Sequence, residues 1–444
     1  MEFKVKNYLF LILLHASIGA LVFSFPIAAK IYGILIFLVS LYFIIKTRNK
    51  NNEVLYAAAY IVGSEVFLRM TGGNPNHEFA KYSVIVFLII GMLFSGFSKN
   101  ALPYWIFLIL LIPGIIIGTQ TLSLQADNIR KTILFNVSGP LCLGIASLYC
   151  YNRKITLEEV NNILLLMGLP IISCMVYLTI YTPELKEVLI KGNSSNTDTS
   201  GGYGPNQVAT LLGLGMFVFF TRILFASRHK IFFLINLILF LGMSYRGLLT
   251  FSRGGIITSI TMIIILLIIL YLNSKSYGKL KMIYLIGFLV AVMVFTWFYT
   301  ENQTGGFIGK RYSNEDALGR KKDDNFTGRG KLAAGEMDMF FENPFFGVGA
   351  GKGTEIRSSE LGVLTASHDE ITRMLAEHGA LGILALMILF FTPIFLYIDN
   401  KQNIYIFCFL LFWLLTINHA AMRTASPSFV YALALLKVRF KDNE

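Results

Sequence analysis

Apolar residues come in runs of about the length one helix needs to cross a bilayer, roughly 20 residues for a hydrocarbon core of about 30 Å, with polar residues gathered into the gaps. The runs fall near 8–25, 29–45, 54–70, 82–97, 102–118, 132–151, 160–181, 207–225, 231–250, 254–272, 281–299, 377–398 and 404–420, with a shorter one at 427–437. Lipid offers no partners for backbone N–H and C=O groups, so each run is expected as an α-helix. The pattern therefore predicts an all-α fold, a polytopic membrane helix bundle of about 12–14 transmembrane helices. The opening MEFKVK and the run to Phe25 resemble a signal peptide, but no small-residue cleavage site follows and further runs come directly after it, so it is read as the first span.

The same pattern divides the chain into four regions: N-terminal spans over 1–200, central spans over 201–299, one long polar loop over 300–376, and C-terminal spans over 377–444. The loop is expected to contain short helices. It holds a mixed-sign segment from Lys310 to Asp324, a helical run over 330–342 that stops at Asn343-Pro344, where proline disfavours helix in the residue before it, and a glycine-dense turn over 347–353.

Composition agrees with lipid as the solvent. The 444 residues are 55% hydrophobic and 14% charged, with a mean hydropathy of +0.63. A net charge of +12 would suggest nucleic acid in a soluble protein, but no contiguous basic face with aromatics is present, and a nucleic-acid partner is not expected. Instead Lys6, Lys46, Lys99, Lys154, Lys230, Lys279, Lys401 and Lys437 fall in alternate gaps, which by the positive-inside rule puts those gaps and both termini in the cytoplasm. The loop over 300–376 then lies outside. An even number of crossings is required, so fourteen spans fit if the short last run crosses. Cys142, Cys150, Cys174 and Cys408 lie in or beside apolar runs without CxxC spacing, so neither disulfide nor zinc site is expected.

Three clusters on the expected outer side carry candidate chemistry. Ser252-Arg253-Gly254-Gly255 stands directly before an apolar run, reading as a serine N-cap with open backbone N–H groups and a guanidinium suited to phosphate. Arg246 lies seven residues earlier, on the same face if the helix continued. Both arginines also fit snorkelling to lipid headgroups. In Gly204-Pro205-Asn206-Gln207, Asn206 is a plausible N-cap and Gln207 a donor to a sugar hydroxyl, with a plain capping turn as the alternative. Ser367-His368-Asp369-Glu370 matches a capping box that starts the span containing Arg373 and Glu377. It places His368 in a first turn, where the positive helix end favours the neutral imidazole a general base needs; a solvated loop histidine is the alternative.

All three clusters begin spans running inward from the outer side, so three positive helix ends face one surface and an anionic lipid headgroup is the natural ligand. Arg69, Arg320, Arg329, Arg357 and Arg423 would add charge there or face headgroups individually. Two other patterns carry nothing. The turn over 347–353 lacks the first glycine and the Ser or Thr of a phosphate-binding loop, since Phe346 and Gly353 stand in those places. Glu336 and Asp338 fit a solvated helix face without further ligands, so no metal and no other cofactor is expected.

At these residues the chain resembles the O-antigen ligase and polymerase superfamily. Gly204-Pro205-Asn206-Gln207 is similar to its Pro-Asn element and Ser252-Arg253-Gly254-Gly255 to its Ser-Arg-Gly element. The stretch from Thr327 through Glu342-Asn343-Pro344-Phe345-Phe346-Gly347, then from Ser367-His368-Asp369-Glu370 to Glu377-His378-Gly379-Ala380-Leu381-Gly382, is similar to its loop signature, with Asp369 where the family usually has Asn or Ser. The resemblance is specific between about 200 and 385 and only architectural elsewhere.

It implies a metal-independent, inverting glycosyltransferase of the bacterial inner membrane, moving a glycan from undecaprenyl diphosphate to an acceptor hydroxyl at the periplasmic face. The acceptor would be lipid A core for a ligase or a growing glycan for a polymerase. Within that frame Arg253, Arg246 and Arg329 are the expected diphosphate-binding residues, Asn206 and Gln207 the substrate-binding ones, and His368 the base, supported by Glu377. A lipid-linked sugar transporter is the rival from another class. Transporters tend to show inverted repeats and mid-membrane charge, whereas no repeat is visible here and Glu65 is the acidic residue well inside a span.

Overall fold

The computed structural model describes residues 5–123, 126–182, 195–227, 229–316, 318–321, 329–361 and 367–439. Every expected apolar run is a helix. They are α1 (Val5–Ser24), α2 (Ile27–Thr47), α3 (Glu53–Met70), α4 (Phe79–Ser95), α5 (Leu102–Thr121), α6 (Ala126–Cys150), α7 (Leu157–Tyr181), α8 (Pro205–Phe225), α9 (Lys230–Leu249), α10 (Arg253–Asn273), α11 (Ser276–Gln303), α15 (Glu370–Asp399), α16 (Ile406–Ala420) and α17 (Ala425–Leu433). Short helices α12 (Phe307–Tyr312), α13 (Arg329–Glu342) and α14 (Lys352–Leu361) lie in the long loop. That loop is shorter than expected, 304–369, because α11 runs on to Gln303 and α15 starts seven residues before Glu377.

Ten of the described helices are long and apolar enough to cross a membrane, and α4 and α16 are shorter apolar helices. Large apolar side chains face outward on many of them, Leu93 being 79% and Leu272 71% exposed. Such a belt is stable only in lipid, so the chain is a multi-pass membrane protein. At the centre, α8 is buried from Val208 to Ile223 on every face, as an all-round apolar helix must be. Close packing replaces hydrophobic contrast as the force between helices. At Gly255 an added Cβ would lie 2.2 Å from Ala209 C, so α10 and α8 touch backbone to backbone.

Side-chain and backbone bonds collect the links at two ends of the bundle. At one end Asn49 Nδ2 donates to Tyr149 Oη (2.8 Å), Arg153 Nη2 to Gly96 O (2.6 Å) and Tyr405 Oη to Asn161 Oδ1 (2.6 Å). There β1 (Lys154–Thr156) pairs in parallel with β2 (Lys437–Arg439) in the register Ile155–Val438. Lys154, Lys401 and Lys437 belong to this end, and the links next to Lys46 and Lys99 reach it. The chain has therefore returned after α17, although that helix is only nine residues long. The other end holds every candidate cluster.

Candidate active site

The Pro-Asn and Ser-Arg-Gly elements meet. Asn206 is not the N-cap of α8; that place belongs to Gly204, with Pro205 in the first turn. Pro205 needs no N–H partner there, and Asn206, one position later, turns its amide sideways. Ser252 Oγ donates to Asn206 Oδ1 at 2.8 Å. Ser252 does cap α10 by position, but its hydroxyl is spent on Asn206 and makes no capping bond, so the first N–H groups of α10 lack a side-chain acceptor. Gln207 folds back toward Gly204, where a Cβ would lie 2.1 Å from its Oε1.

Arg253 opens α10 half-buried and has no hydrogen-bond or ion-pair partner among the described residues. It faces Tyr312 of α12. Burial pushes that phenol up to about 12 against the pull of Arg253 and Arg311. Arg246 is elsewhere. The expected shared face does not form, because α9 ends at Leu249 and Phe251 adopts φ 55°, reversing the chain. Arg246 is buried, and its Nη2 donates to Leu178 O (2.8 Å), Thr182 Oγ1 and Thr199 O (3.4 Å), tying the end of α7 to the loop before α8. Arg329 opens α13, and its side chain lies outside the described residues.

The start of α15 differs from the expected capping box. Asp369 is the N-cap and accepts from Ile371 N at 2.8 Å, while Ser367 Oγ donates to Asp369 O (2.8 Å). His368 is thus in the link just before the helix, half-buried, and not in its first turn. Burial pushes the Asp369 carboxyl up despite the N–H it accepts. Glu377 does not reach toward His368 through any described bond. It is buried and accepts from Arg373 Nη1 at 3.0 Å, while Arg373 also binds Glu370 and the Oδ1 and O of Asn136 on α6, both at 3.1 Å.

The glycine-dense turn is a clasp. Gly379 interrupts α15 with φ 59°, ψ −139°, and a Cβ there would lie 2.6 Å from Phe345 C. Around this break Val348 N donates to Ala376 O (2.9 Å), Ala380 N to Pro344 O (2.7 Å) and Ala350 N to Gly114 O of α5 (2.8 Å). The signature residues Asn343-Pro344 to Gly351 and His378-Gly379 thus lock the loop onto the bundle. Glu336, expected on a solvated face, is buried and paired with Arg357 Nη1 at 2.7 Å, so α13 and α14 are fastened by an ion pair; Asp338 is exposed.

Sequence reasoning missed the end of α16. His419 packs on Gly254, whose Cβ would sit 2.5 Å from the ring, and its Nε2 is 3.1 Å from Thr210 Oγ1 of α8. Two residues of the following link are equally placed: Met422 N donates to Glu370 Oε2 (3.3 Å) and Arg423 Nη2 to Ser367 O (2.6 Å). No helical period points to contacts that lie more than fifty residues apart; intramembrane histidine was the available signal. Beside this ensemble lies an open cavity of about 930 Å³, with Tyr82, Leu134 and Phe135 on its apolar wall and Asn76, Lys131, Asn136 and Glu355 among its polar groups.

A many-helix membrane bundle whose polar elements converge at one end, under a clasped loop, defines the class: a polytopic membrane protein with a buried polar site. Residues 238–387 match a family model described as O-antigen ligase, so over this segment the chain is similar to the O-antigen ligase superfamily. The matched segment includes Arg246, Arg253, Arg329, His368 and Glu377, and leaves out Asn206 and Gln207. No curated protein matches the chain.

Proposed function

We propose that this protein transfers a glycan from undecaprenyl diphosphate to an acceptor hydroxyl at the periplasmic face of a bacterial inner membrane, and that it is a ligase whose acceptor is lipid A core. Both termini then lie in the cytoplasm. The observation that carries this reading is the state of Arg253. Arg69, Arg246, Arg320, Arg357, Arg373 and Arg423 all bind protein groups. Arg253 binds none among the described residues and stands at a helix start whose N–H groups lack a side-chain cap. A guanidinium and a positive helix end together suit a diphosphate, and their hold strengthens as charge develops on it.

In the proposed reaction the acceptor oxygen attacks the anomeric carbon as the bond from that carbon to the diphosphate oxygen breaks. The acceptor proton passes to His368, and the undecaprenyl diphosphate leaves with its charge on Arg253. One displacement inverts the anomeric centre, and the guanidinium supplies the positive charge a metal would otherwise bring. Arg246 and Glu377 act at one remove. The first holds the loop before Asn206 and the second holds Arg373 at the start of α15. The open cavity suits an amphiphilic acceptor, with apolar wall against acyl chains and polar groups against sugar hydroxyls.

The test is transfer by purified protein with a lipid-linked donor. Arg253→Ala and His368→Ala are each expected to lower the rate by about 100-fold or more; wild-type rates in both would overturn the assignment. In a deletion strain, loss of all capped core marks a ligase, and one repeat unit per core marks the polymerase instead.

A further inference from the structure

The two residues on which that reading rests stand at the starts of different helices, Arg253 in the first position of α10 and His368 just before α15, and the end of α16 touches the surroundings of both. His419 Nδ1 faces Leu415 O at 2.7 Å. A carbonyl only accepts, so Nδ1 carries the hydrogen and Nε2 is an acceptor turned to Thr210 Oγ1 at 3.1 Å. The single hydroxyl hydrogen of Thr210 is shared between that nitrogen and Asn206 O, which lies 2.8 Å from Oγ1. Asn206 Oδ1 in turn accepts from Ser252, the residue before Arg253. Four residues beyond His419, Arg423 grips the carbonyl of Ser367, the residue before His368.

We propose that residues 419–423 form a strap that fixes the position of Arg253 relative to His368, with His419 and Arg423 as its two positioning residues. The proposal rests on the function argued above.

The strap is built to hold. Its backbone is anchored by Met422 N on Glu370 Oε2, and just beyond it Ala425 N donates to Glu65 Oε2 at 2.7 Å. Both carboxylates are buried and belong to ion pairs, Glu370 with Arg373 and Glu65 with Arg69 at 2.7 Å. Ala421 adopts φ 49°, ψ −166°, a conformation that favours glycine and persists only where surrounding bonds impose it. Gly139 of α6 completes the seat, where a Cβ would lie 2.5 Å from Met422 Cβ. A flexible link would meet none of these constraints. A transfer reaction needs its leaving-group site and its base at a fixed separation, and misplacement by about 1 Å costs on the order of 100-fold.

The experiment compares full-length variants in detergent or nanodiscs, with thermal midpoints as a check on folding. His419→Ala is expected to raise the KM for donor about tenfold, since it loosens the relay to Arg253. Arg423→Ala is expected to lower kcat about tenfold with donor KM unchanged, since it frees the link holding His368. His419→Gln, which keeps an acceptor toward Thr210, and Arg423→Lys, which keeps a donor toward Ser367 O, should recover most of each loss. Should an alanine variant fail to fold, Ala421→Gly supplies the reading, because it relaxes the strap without removing a hydrogen bond; reduced transfer at an undiminished thermal midpoint supports the strap. Unchanged kinetics in folded His419→Ala and Arg423→Ala, or in Ala421→Gly, would sink it. If Arg253→Ala and His368→Ala are themselves fully active, the proposed function has failed and not merely the strap.

Discussion

Arg253 and Arg373 each stand within a turn of the start of a helix that enters the bundle from the same end, yet their surroundings are opposite. Arg373 is enclosed by Glu370, Glu377 and Asn136, each of which accepts from its guanidinium. Arg253 is half-buried with no described partner, beside helix N–H groups also left open. A count of basic residues ranks the two alike. What separates them is whether the protein has already neutralised the charge: a saturated arginine holds structure, and one left unsatisfied in a polar recess is available to a ligand.

The sharpest way to break this comparison is to remove each guanidinium and follow folding separately from transfer. Arg373→Ala leaves Glu370 and Glu377 as buried carboxylates without their cation, a loss of about 3–5 kcal/mol, so the variant should unfold in a thermal melt far below the wild type. Arg253→Ala should melt within about 0.5 kcal/mol of wild type while losing transfer. Equal melting of the two would end the distinction. Ser252→Ala tests the link between the motifs on a finer scale. It removes one hydrogen bond worth about 1 kcal/mol, and it should shift the melt modestly while weakening donor binding.

A test read against pH concerns Glu78, before α4. Burial raises its carboxyl, but His77 (2.8 Å), Lys81 (2.5 Å) and Arg69 outweigh that and hold it at about 2. A carboxyl lowered on folding contributes stability that is complete above its unfolded value of 4.5 and disappears as pH falls toward 2. Glu78→Gln should therefore melt below wild type at pH 7, with the gap narrowing under acid; a gap constant from pH 7 to pH 3 would contradict the assigned pairing.

The spans were legible because each is a local signal: twenty apolar residues in lipid have one backbone solution whatever their neighbours. Even the short last run proved to be a helix followed by a strand that pairs with β1 at the basic end. Caps were less legible. Ser367 with Glu370 fits a capping box, but Asp369, one residue before Glu370, takes the cap, and the Glu370 carboxylate turns to Arg373 and Met422 N. Ser252 and Asn206 each fit the cap of their own helix by sequence, whereas they bond to each other across 46 positions of chain. Local propensity cannot weigh a local bond against a distant one. His419 was invisible for the same reason, and Glu336 was assigned to solvent because its partner, Arg357, stands on another helix.

The brevity of α16 and α17 has one more consequence. Helices of 15 and nine residues extend about 22 Å and 14 Å, both short of a hydrocarbon core of about 30 Å. Both meet the basic end, so the turn between them stops short of a full crossing. Under the proposed function a donor reacting beside it would sit below the plane of the phospholipid headgroups, where bulk water is scarcer and hydrolysis competes less well with the acceptor hydroxyl.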